Sequence, residues 1–415
     1  MTVSVGPAFP VLTHPAEGIP EVVDTADRLA AASSALRSGR GPLAVDTERA
    51  HGFRYSAKAY LIQLRRDGSG THLIDPLPFE GEAARADLSL LAADFAEVEW
   101  VLHAASQDLP CLAEVNLLPQ RLFDTELAAR LLGLPRVNLS ALMEQALGIC
   151  LLKEHSSADW STRPLPPEWL AYAALDVEHL TDLREWLIEQ LSDQGKLEWA
   201  REEFAHLVTH ARDEAPPRPD PWRRTSGLHG VRSPAGLAVV RELWYARDEI
   251  AARTDRAPGR ILPDRAITEL AAMAEGPQVR HLGRAELRQV RAFRVRRAAG
   301  QESVWLAALT RAASLPRDQL PPRHVTPAGP PPPRTWEARW PASFARWNRV
   351  RPVLEALAEQ HHLPVENLLL PDTQRRLLWD APGTTSLTEL DRRLTELGAR
   401  AWQRELVIPV ILAAW

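Results

Sequence analysis

Apolar residues recur along the chain with two different periods, and the change of period divides it. In the first part, Pro42 to Asp46 (PLAVD), Tyr60 to Leu64 (YLIQL) and Thr71 to Asp75 (THLID) are short β-type runs at hairpin-like spacing. Glu99 to His103 (EWVLH) is a fourth such run, following an apparent helix. From Ser106 to about Glu203 the pattern turns mostly helical. Asp124 opens DTELAARLLG, an acidic cap before an apolar-periodic run that Gly133 ends. The stretch from Pro167 to about Asp193 carries apolar residues at three- and four-residue intervals, with proline near its start. Together these elements predict an α/β domain in which a mixed sheet is flanked by helices.

Two proline clusters interrupt the periodicity, Ala211 to Pro221 (ARDEAPPRPDP) and Leu315 to Thr335 (LPRDQLPPRHVTPAGPPPPRT), and both read as semi-extended linkers. They divide the chain into roughly 1–212, 222–312 and 336–415. The second and third blocks show no strand alternation and are expected to be compact helical bundles. Each opens with an amphipathic helix (LAVVRELWYARDEIAAR; SFARWNRVRPVLEALAEQH) followed by a proline-marked turn (GRILPDRAI; VENLLLPDTQRRL), an order that suggests a weak internal repeat.

With 415 residues, 45% of them hydrophobic, the chain has room for two to three domains. No segment approaches the roughly 20 uncharged apolar residues of a membrane span, and no basic run precedes an apolar stretch at the amino terminus, so a cytoplasmic protein is expected. The two cysteines, Cys111 and Cys150, have no paired spacing, which argues against a disulfide framework or a zinc ribbon and for reduced core residues. The net charge of −5 conceals a split: residues 1–214 hold 18 basic against 33 acidic side chains, and residues 215–415 hold 31 against 21. An acidic front suits divalent cations and a basic rear suits a phosphate backbone, with chance asymmetry as the alternative.

The acids supply the candidate chemistry. Asp46 and Glu48 stand as DTE at the end of an apolar strand, where a spacing of two puts both carboxylates on one face. Asp108 lies in HAASQDL, after the strand EWVLH and two residues beyond Ser106, a candidate helix cap. Asp176 lies four residues after Tyr172 on the long helix, which puts the two on one helical face. Four carboxylates without His or Cys suit two Mg²⁺ or Mn²⁺ ions better than zinc. Such a pair can activate water and stabilise the leaving 3′ oxygen of a phosphodiester, while Tyr172 orients or helps deprotonate the water. Each acid taken alone has a plainer reading as a strand-end or helix-start residue.

DTE after a strand, HAASQDL after another, the DTELAARLLG helix, the segment Lys153 to Leu165 (KEHSSADWSTRPL) and YAALDVEHL occur in the order found in ribonuclease D and its relatives of the DEDD exonuclease superfamily. The resemblance covers almost all of residues 20–200. It implies a ribonuclease-H-like fold, metal-binding roles for Asp46, Glu48, Asp108 and Asp176, a catalytic role for Tyr172, and release of nucleoside 5′-monophosphates from RNA 3′ ends. The two rear blocks resemble the helicase-and-ribonuclease-D C-terminal (HRDC) domain shared with RecQ helicases. Arg49 is a departure, because many relatives place an aromatic or other apolar residue after DTE, and this leaves the 3′-end preference open.

Other residues carry weaker signals. Asp124 reads as a helix cap rather than a ligand. Lys153 or Arg163 is a candidate for holding a phosphate near the scissile bond, with an ion pair between Asp159 and Arg163 as the alternative. Gln63 and Gln107 are candidates for nucleotide contacts near the metals. Arg284, Arg288 and Arg291 repeat at helix-face spacing and would form a basic stripe or a solvated face. His103 reads as a strand-end core residue, His361 and His362 as exposed, Trp160 as packing, and most rear tryptophans as core. The expected partners are single-stranded RNA 3′ ends, and possible structured RNA at the rear bundles, with tRNA-like substrates among them; oligomeric state stays open. Two rival readings are a DNA-directed 3′→5′ exonuclease and a non-catalytic nucleic-acid-binding scaffold. The scaffold predicts loss of an acid, and all four are kept.

Overall fold

Strand runs that are apolar without interruption need cover on both faces, and this places them at the centre of a sheet. The computed structural model describes residues 9–81, 85–151, 155–213, 216–274, 282–325, 329–379 and 381–415. Its strands are β1 (Val11–Leu12), β2 (Val22–Val23), β3 (Arg40–Arg49), β4 (Ala59–Asp67), β5 (Gly70–Ile74), β6 (Glu99–Leu102), β7 (Arg121–Asp124) and β8 (Cys150–Leu151). Six of them form one mixed sheet in the order β2-β5-β4-β3-β6-β7, and β1 pairs with β8 apart from it. β3 lies antiparallel to β4 and parallel to β6, and its Leu43, Ala44 and Val45 are fully buried. The tight β4–β5 turn needs a positive φ at Gly68 (+77°), which glycine adopts without steric cost.

The helices of this domain are α1 (Ala26–Ser38), α2 (Ser89–Asp94), α3 (Leu109–Glu114), α4 (Thr125–Leu131), α5 (Leu139–Leu147), α6 (Pro167–Glu178), α7 (Leu180–Asp193) and α8 (Leu197–Thr209). α6 packs on β3, β4 and β5, and α7 on β3 and β6. The stretch expected as one helix from Pro167 is therefore two. It breaks at His179, whose ring nitrogen lies 3.0 Å from the Asp182 carboxylate. This is the mixed sheet with flanking helices that the periodicity predicts, and the fold is ribonuclease-H-like.

The rear is all helix among the described residues. The first bundle holds α9 (Pro234–Thr254), α10 (Pro258–Ile261), α11 (Asp264–Ala272), α12 (Arg284–Gln289), α13 (Arg296–Ala299) and α14 (Glu302–Ala313). The second holds α15 (Trp336–Arg339), α16 (Pro341–Gln360), α17 (Val365–Leu368), α18 (Pro371–Leu378), α19 (Leu387–Glu396) and α20 (Ala401–Ala414). The repeated order recurs in detail: a long helix, a single turn, one extended leucine (Leu262, φ −149°; Leu369, φ −156°), then a short proline-started helix.

The bundles attach differently. The first builds its own apolar core around Trp222 and Trp305. The second shares one continuous core with the sheet domain, in which Phe204 and Leu183 belong to the same cluster as Trp336 and Trp402. At that junction the rings of Trp199 and Trp402 stack at 4.9 Å, and Arg400 pairs with the buried Glu203 at 2.8 Å. Both cysteines are free thiols, and no helix among the described residues is long and apolar enough to cross a membrane.

Candidate active site

β3 carries Asp46 and Glu48 on one face of the sheet, as strand alternation requires, and α6 lies across that face. Carboxylate oxygens of Asp46, Glu48 and Asp176 come within 4.8 Å of one another. Asp108 arrives from the end of the turn that follows β6. Thr47 Oγ1 donates to Asp108 Oδ1 at 2.6 Å, and the Arg49 guanidinium stands 3.7 Å from the same oxygen. Arg49 also donates to the Gln107 carbonyl at 2.6 Å, so the residue that departs from the family pattern is tied to the Asp108 turn.

That turn is shaped by Asp124. Its carboxylate caps α4 by accepting from the amides of Glu126 and Leu127, and it accepts as well from those of Ala104 and Ala105 at 3.0 and 2.9 Å. One buried acid thereby joins a helix start to the loop bearing Asp108. Ser106, expected to cap α3, instead lies inside a single 3₁₀ turn, Ala105–Gln107, and α3 starts after Asp108, whose side chain makes no cap bond.

The electrostatics follow from burying acids together. Burial first, then Asp108 and Asp176, raises the Asp46 carboxyl well above the usual range; burial first, then Asp46, Asp176 and Asp108, does the same for Glu48. Burial pushes Asp108 up to about 6 against the pull of Thr47 and Arg49, and Asp176 up to about 7 against a hydrogen bond from Tyr172. Tyr172 itself is raised, by burial and then by Asp176, Glu48 and Asp46. Cys111 sits beside Thr47 and the Asp108 carbonyl, but burial pushes its thiol up to about 12, leaving the site to oxygen donors. Converging, mutually repelling carboxylates with no soft donor among them fit hard divalent cations.

The remaining candidates fall elsewhere. Gln63 lies opposite Asp46 on β4, fully buried, with both amide atoms unpaired among the described residues. Arg163 grips Asp75 with two bonds of 2.6 and 2.8 Å and donates to the carbonyl of Tyr60. The alternative ion pair between Arg163 and Asp159 is replaced by this one, and Asp159 accepts from Ser161. Lys153 lies outside the described residues. Arg284 and Arg288 sit on α12, but the chain turns extended at Val290 before Arg291, so the three do not share one continuous helix; Arg284 pairs with Glu302. His103 contacts Thr125 and is lowered to about 4 by burial, while His361 packs edge-on to Trp199.

Sequence reasoning passed over Thr47 and Asp75, which hold Asp108 and Arg163. It also missed a cavity of about 190 Å³ beside the acids, lined in part by His14, His155, Glu168, Tyr172 and Asp176. Thr47 was within reach, being the middle of DTE; His14 comes from a segment with no periodic signal.

Residues 20–192 match the family model described as 3′-5′ exonuclease, residues 236–276 the HRDC domain, and residues 329–415 the 3′ to 5′ exonuclease C-terminal domain. The chain is 30% identical to the Ribonuclease D of Granulibacter bethesdensis over 377 residues, 89% of each protein. It is 33% identical to that of Acidiphilium cryptum over 259 residues, 61% of this chain and 64% of the relative, so that match spans less than two thirds of the relative's length. Among solved structures, a protein from Bifidobacterium adolescentis is 38% identical, with a TM-score of 0.86 over 98% of this chain and 99% of that one. Escherichia coli RNase D, at 24% identity, shares the fold with a TM-score of 0.61 over 91% of this chain and 98% of its own.

Proposed function

The chain belongs to the ribonuclease D family, and from that premise we propose that it is a metal-dependent 3′→5′ exoribonuclease that trims RNA during processing, releasing nucleoside 5′-monophosphates. The observation that carries this reading is the meeting of Asp46, Glu48 and Asp176 within 4.8 Å, with Asp108 beside them. Those four acids would hold two Mg²⁺ or Mn²⁺ ions. When bound, the ions supply Lewis acidity that lowers the pKa of water and neutralises charge on the leaving 3′ oxygen.

The protein's own groups do the positioning. Thr47 and Arg49 fix the Asp108 carboxylate, and the Asp124 cap fixes the turn behind it. Tyr172, whose hydroxyl donates to Asp176, orients the attacking water or helps to deprotonate it. The helical rear would extend the track for single-stranded and structured RNA. Cytoplasmic location belongs to the same reading.

The test is incubation of purified protein with 3′-labelled single-stranded RNA and matched DNA, with Mg²⁺, Mn²⁺ or chelator. Stepwise release of mononucleotides from RNA, abolished by chelation, is expected. Full activity after exhaustive chelation, or cleavage within a circular RNA, would remove the mechanism, and equal rates on DNA would remove the RNA assignment.

A further inference from the structure

The loop that leaves β3 after Arg49 docks on the corner between α9 and α10. Ala257 N donates to the Phe53 carbonyl at 3.0 Å and Arg260 Nε to that of Gly52 at 2.8 Å. Asp255 accepts from Ser56 N at 2.8 Å and Tyr60 Oη at 3.3 Å, and Asp248 accepts from Tyr55 Oη at 3.2 Å. Beside these contacts lies a cavity of about 240 Å³ lined by Phe53, Arg54, Asp159, Arg256, Arg260 and Arg297. Four arginines from two domains thus line the cavity with one carboxylate, Asp159, and a second, Asp255, lies within electrostatic reach of Arg54. None of the four forms an ion pair among the described residues, and Asp159 already accepts from Ser161, to which Arg54 Nε also donates at 2.8 Å. The Arg260 guanidinium carbon stands over Phe53, 3.9 Å from the ring centroid, a cation–π contact that helps hold it there.

Packing like charges together is unfavourable unless an anion shares them. Apart from Arg260, whose Nε makes one of these bonds, the docking does not call for the cluster, because the other bonds come from backbone amides and tyrosine hydroxyls. Arginine forks suit phosphate oxygens. Both walls of the cavity lead into the catalytic elements: Arg54 is six residues past Glu48, so their Cα atoms are at most about 20 Å apart, and Asp159 precedes α6 with its Tyr172 and Asp176. The first bundle is also where the rear's positive charge resides, with 17 arginines against nine acids in residues 222–312.

We propose that Arg54, Arg256, Arg260 and Arg297 form a phosphodiester-binding pocket that grips the RNA strand on the 5′ side of the scissile nucleotide, where it passes from the catalytic domain to the first bundle. This rests on the exoribonuclease reading for the identity of the strand and its polarity. The pocket recognises phosphate, so it does not distinguish a 2′-hydroxyl and takes DNA phosphates equally.

Arg256 and Arg297 are exposed and take no part in docking, so the test variant is R256Q/R297Q in the full-length protein. Binding is measured without divalent cation, to a strand of about 12 nucleotides and to a dinucleotide too short to leave the catalytic cleft, across a range of salt. Affinity for the long strand should fall about tenfold at low salt, and its salt slope should shrink by about 1.4, the value for two single-strand phosphate contacts. Dinucleotide affinity and hydrolysis should match wild type, as should thermal unfolding. Unchanged long-strand affinity and slope would overturn the proposal, as would a loss that falls equally on the dinucleotide. Inorganic phosphate and nucleoside monophosphate serve as competitors; if they bind the wild type but not the variant while long-strand affinity is unchanged, the pocket serves free phosphate and the proposal fails. If the double variant misfolds, R297Q alone carries the same comparison with half the slope change. The binding arm is independent of turnover: loss of long-strand affinity in a protein that hydrolyses no RNA would sustain the pocket and reject the exoribonuclease reading.

Discussion

Burial, and then Asp108, holds the Asp176 carboxyl up to about 7, and burial holds that of Asp108 up to about 6, whereas an unfolded chain would ionise them near 4. A group that binds its proton more tightly folded than unfolded weakens the fold as pH rises between those values. In chelator, the protein should therefore unfold at a lower temperature at about pH 8 than at about pH 5, and Mg²⁺ should raise the midpoint more at the higher pH. Thermal scans at both pH values, with and without Mg²⁺, check this; equal or reversed ordering in chelator would show that the fold does not hold protons on these carboxyls. The same crowding makes the active-site variants informative. Asp46→Asn should slow hydrolysis about 100-fold or more, by analogy with losing one preorganised charge-stabilising group, yet unfold in chelator at the same or a higher temperature, since one repelling charge is gone. Tyr172→Phe removes only the hydroxyl and leaves the four acids in place, so it should cost about tenfold to hundredfold in kcat. A fully active Asp46→Asn enzyme would show the site to be misplaced.

At the scale of elements, what was legible in the sequence is what repeats. β3, β4, β5 and β6 each carry enough β-type residues to show themselves, and the capped helices announce their ends. β1, β2 and β8 are two residues long and leave no alternation to read; β7 runs directly into the cap of α4, so Asp124 shows only its helical role. The candidate site divides the same way. Asp46 and Glu48 share a strand and Tyr172 and Asp176 a helix, so spacing alone aligns each pair. The bonds from Thr47 to Asp108 and from Arg163 to Asp75 join residues 61 and 88 positions apart, and no local pattern contains them. Gly133 shows the limit well. It ends its helix as expected, with φ +73°, but a Cβ there would also lie 2.1 Å from the His362 carbonyl oxygen, which the second bundle brings in. Gly133→Ala should therefore cost more than the left-handed strain of about 1–2 kcal/mol and lower the unfolding midpoint by about 4 °C or more. Gly195→Ala is the control, with φ +67° and nothing within 4 Å, and it should show the strain alone. Equal losses would mean that the bundle gives way without cost.

At the scale of the molecule, charge and packing assign different work to the two bundles. The second carries ten basic and ten acidic residues over 336–415, so it adds no net attraction for an anion, and its tryptophans complete the core of the catalytic domain. The first carries the arginine excess and packs around a core of its own. A protein cut near residue 215 therefore loses more than an electrostatic arm. It strips Trp402 from Trp199 and leaves Glu203, 6% exposed in the intact chain, without Arg400. Removing the bundle also uncovers the apolar side chains that it buries, at a cost of about 25 cal/mol per Å² exposed. Replacing residues 216–330 with a flexible linker of about 15 residues would remove the first bundle and keep the second docked. The excised protein should keep an unfolding midpoint near that of the full chain and turn over short oligonucleotides, while binding long RNA weakly and with a shallow salt slope. The protein cut near 215 should show the same shallow slope together with a markedly lower midpoint and a tendency to aggregate. Titrations across salt and thermal scans on all three proteins separate the two roles. If the excised protein bound long RNA as the full chain does, the first bundle's arginines would not be the grip; if the cut and excised proteins unfolded together, the shared core would not be what holds the second bundle in place.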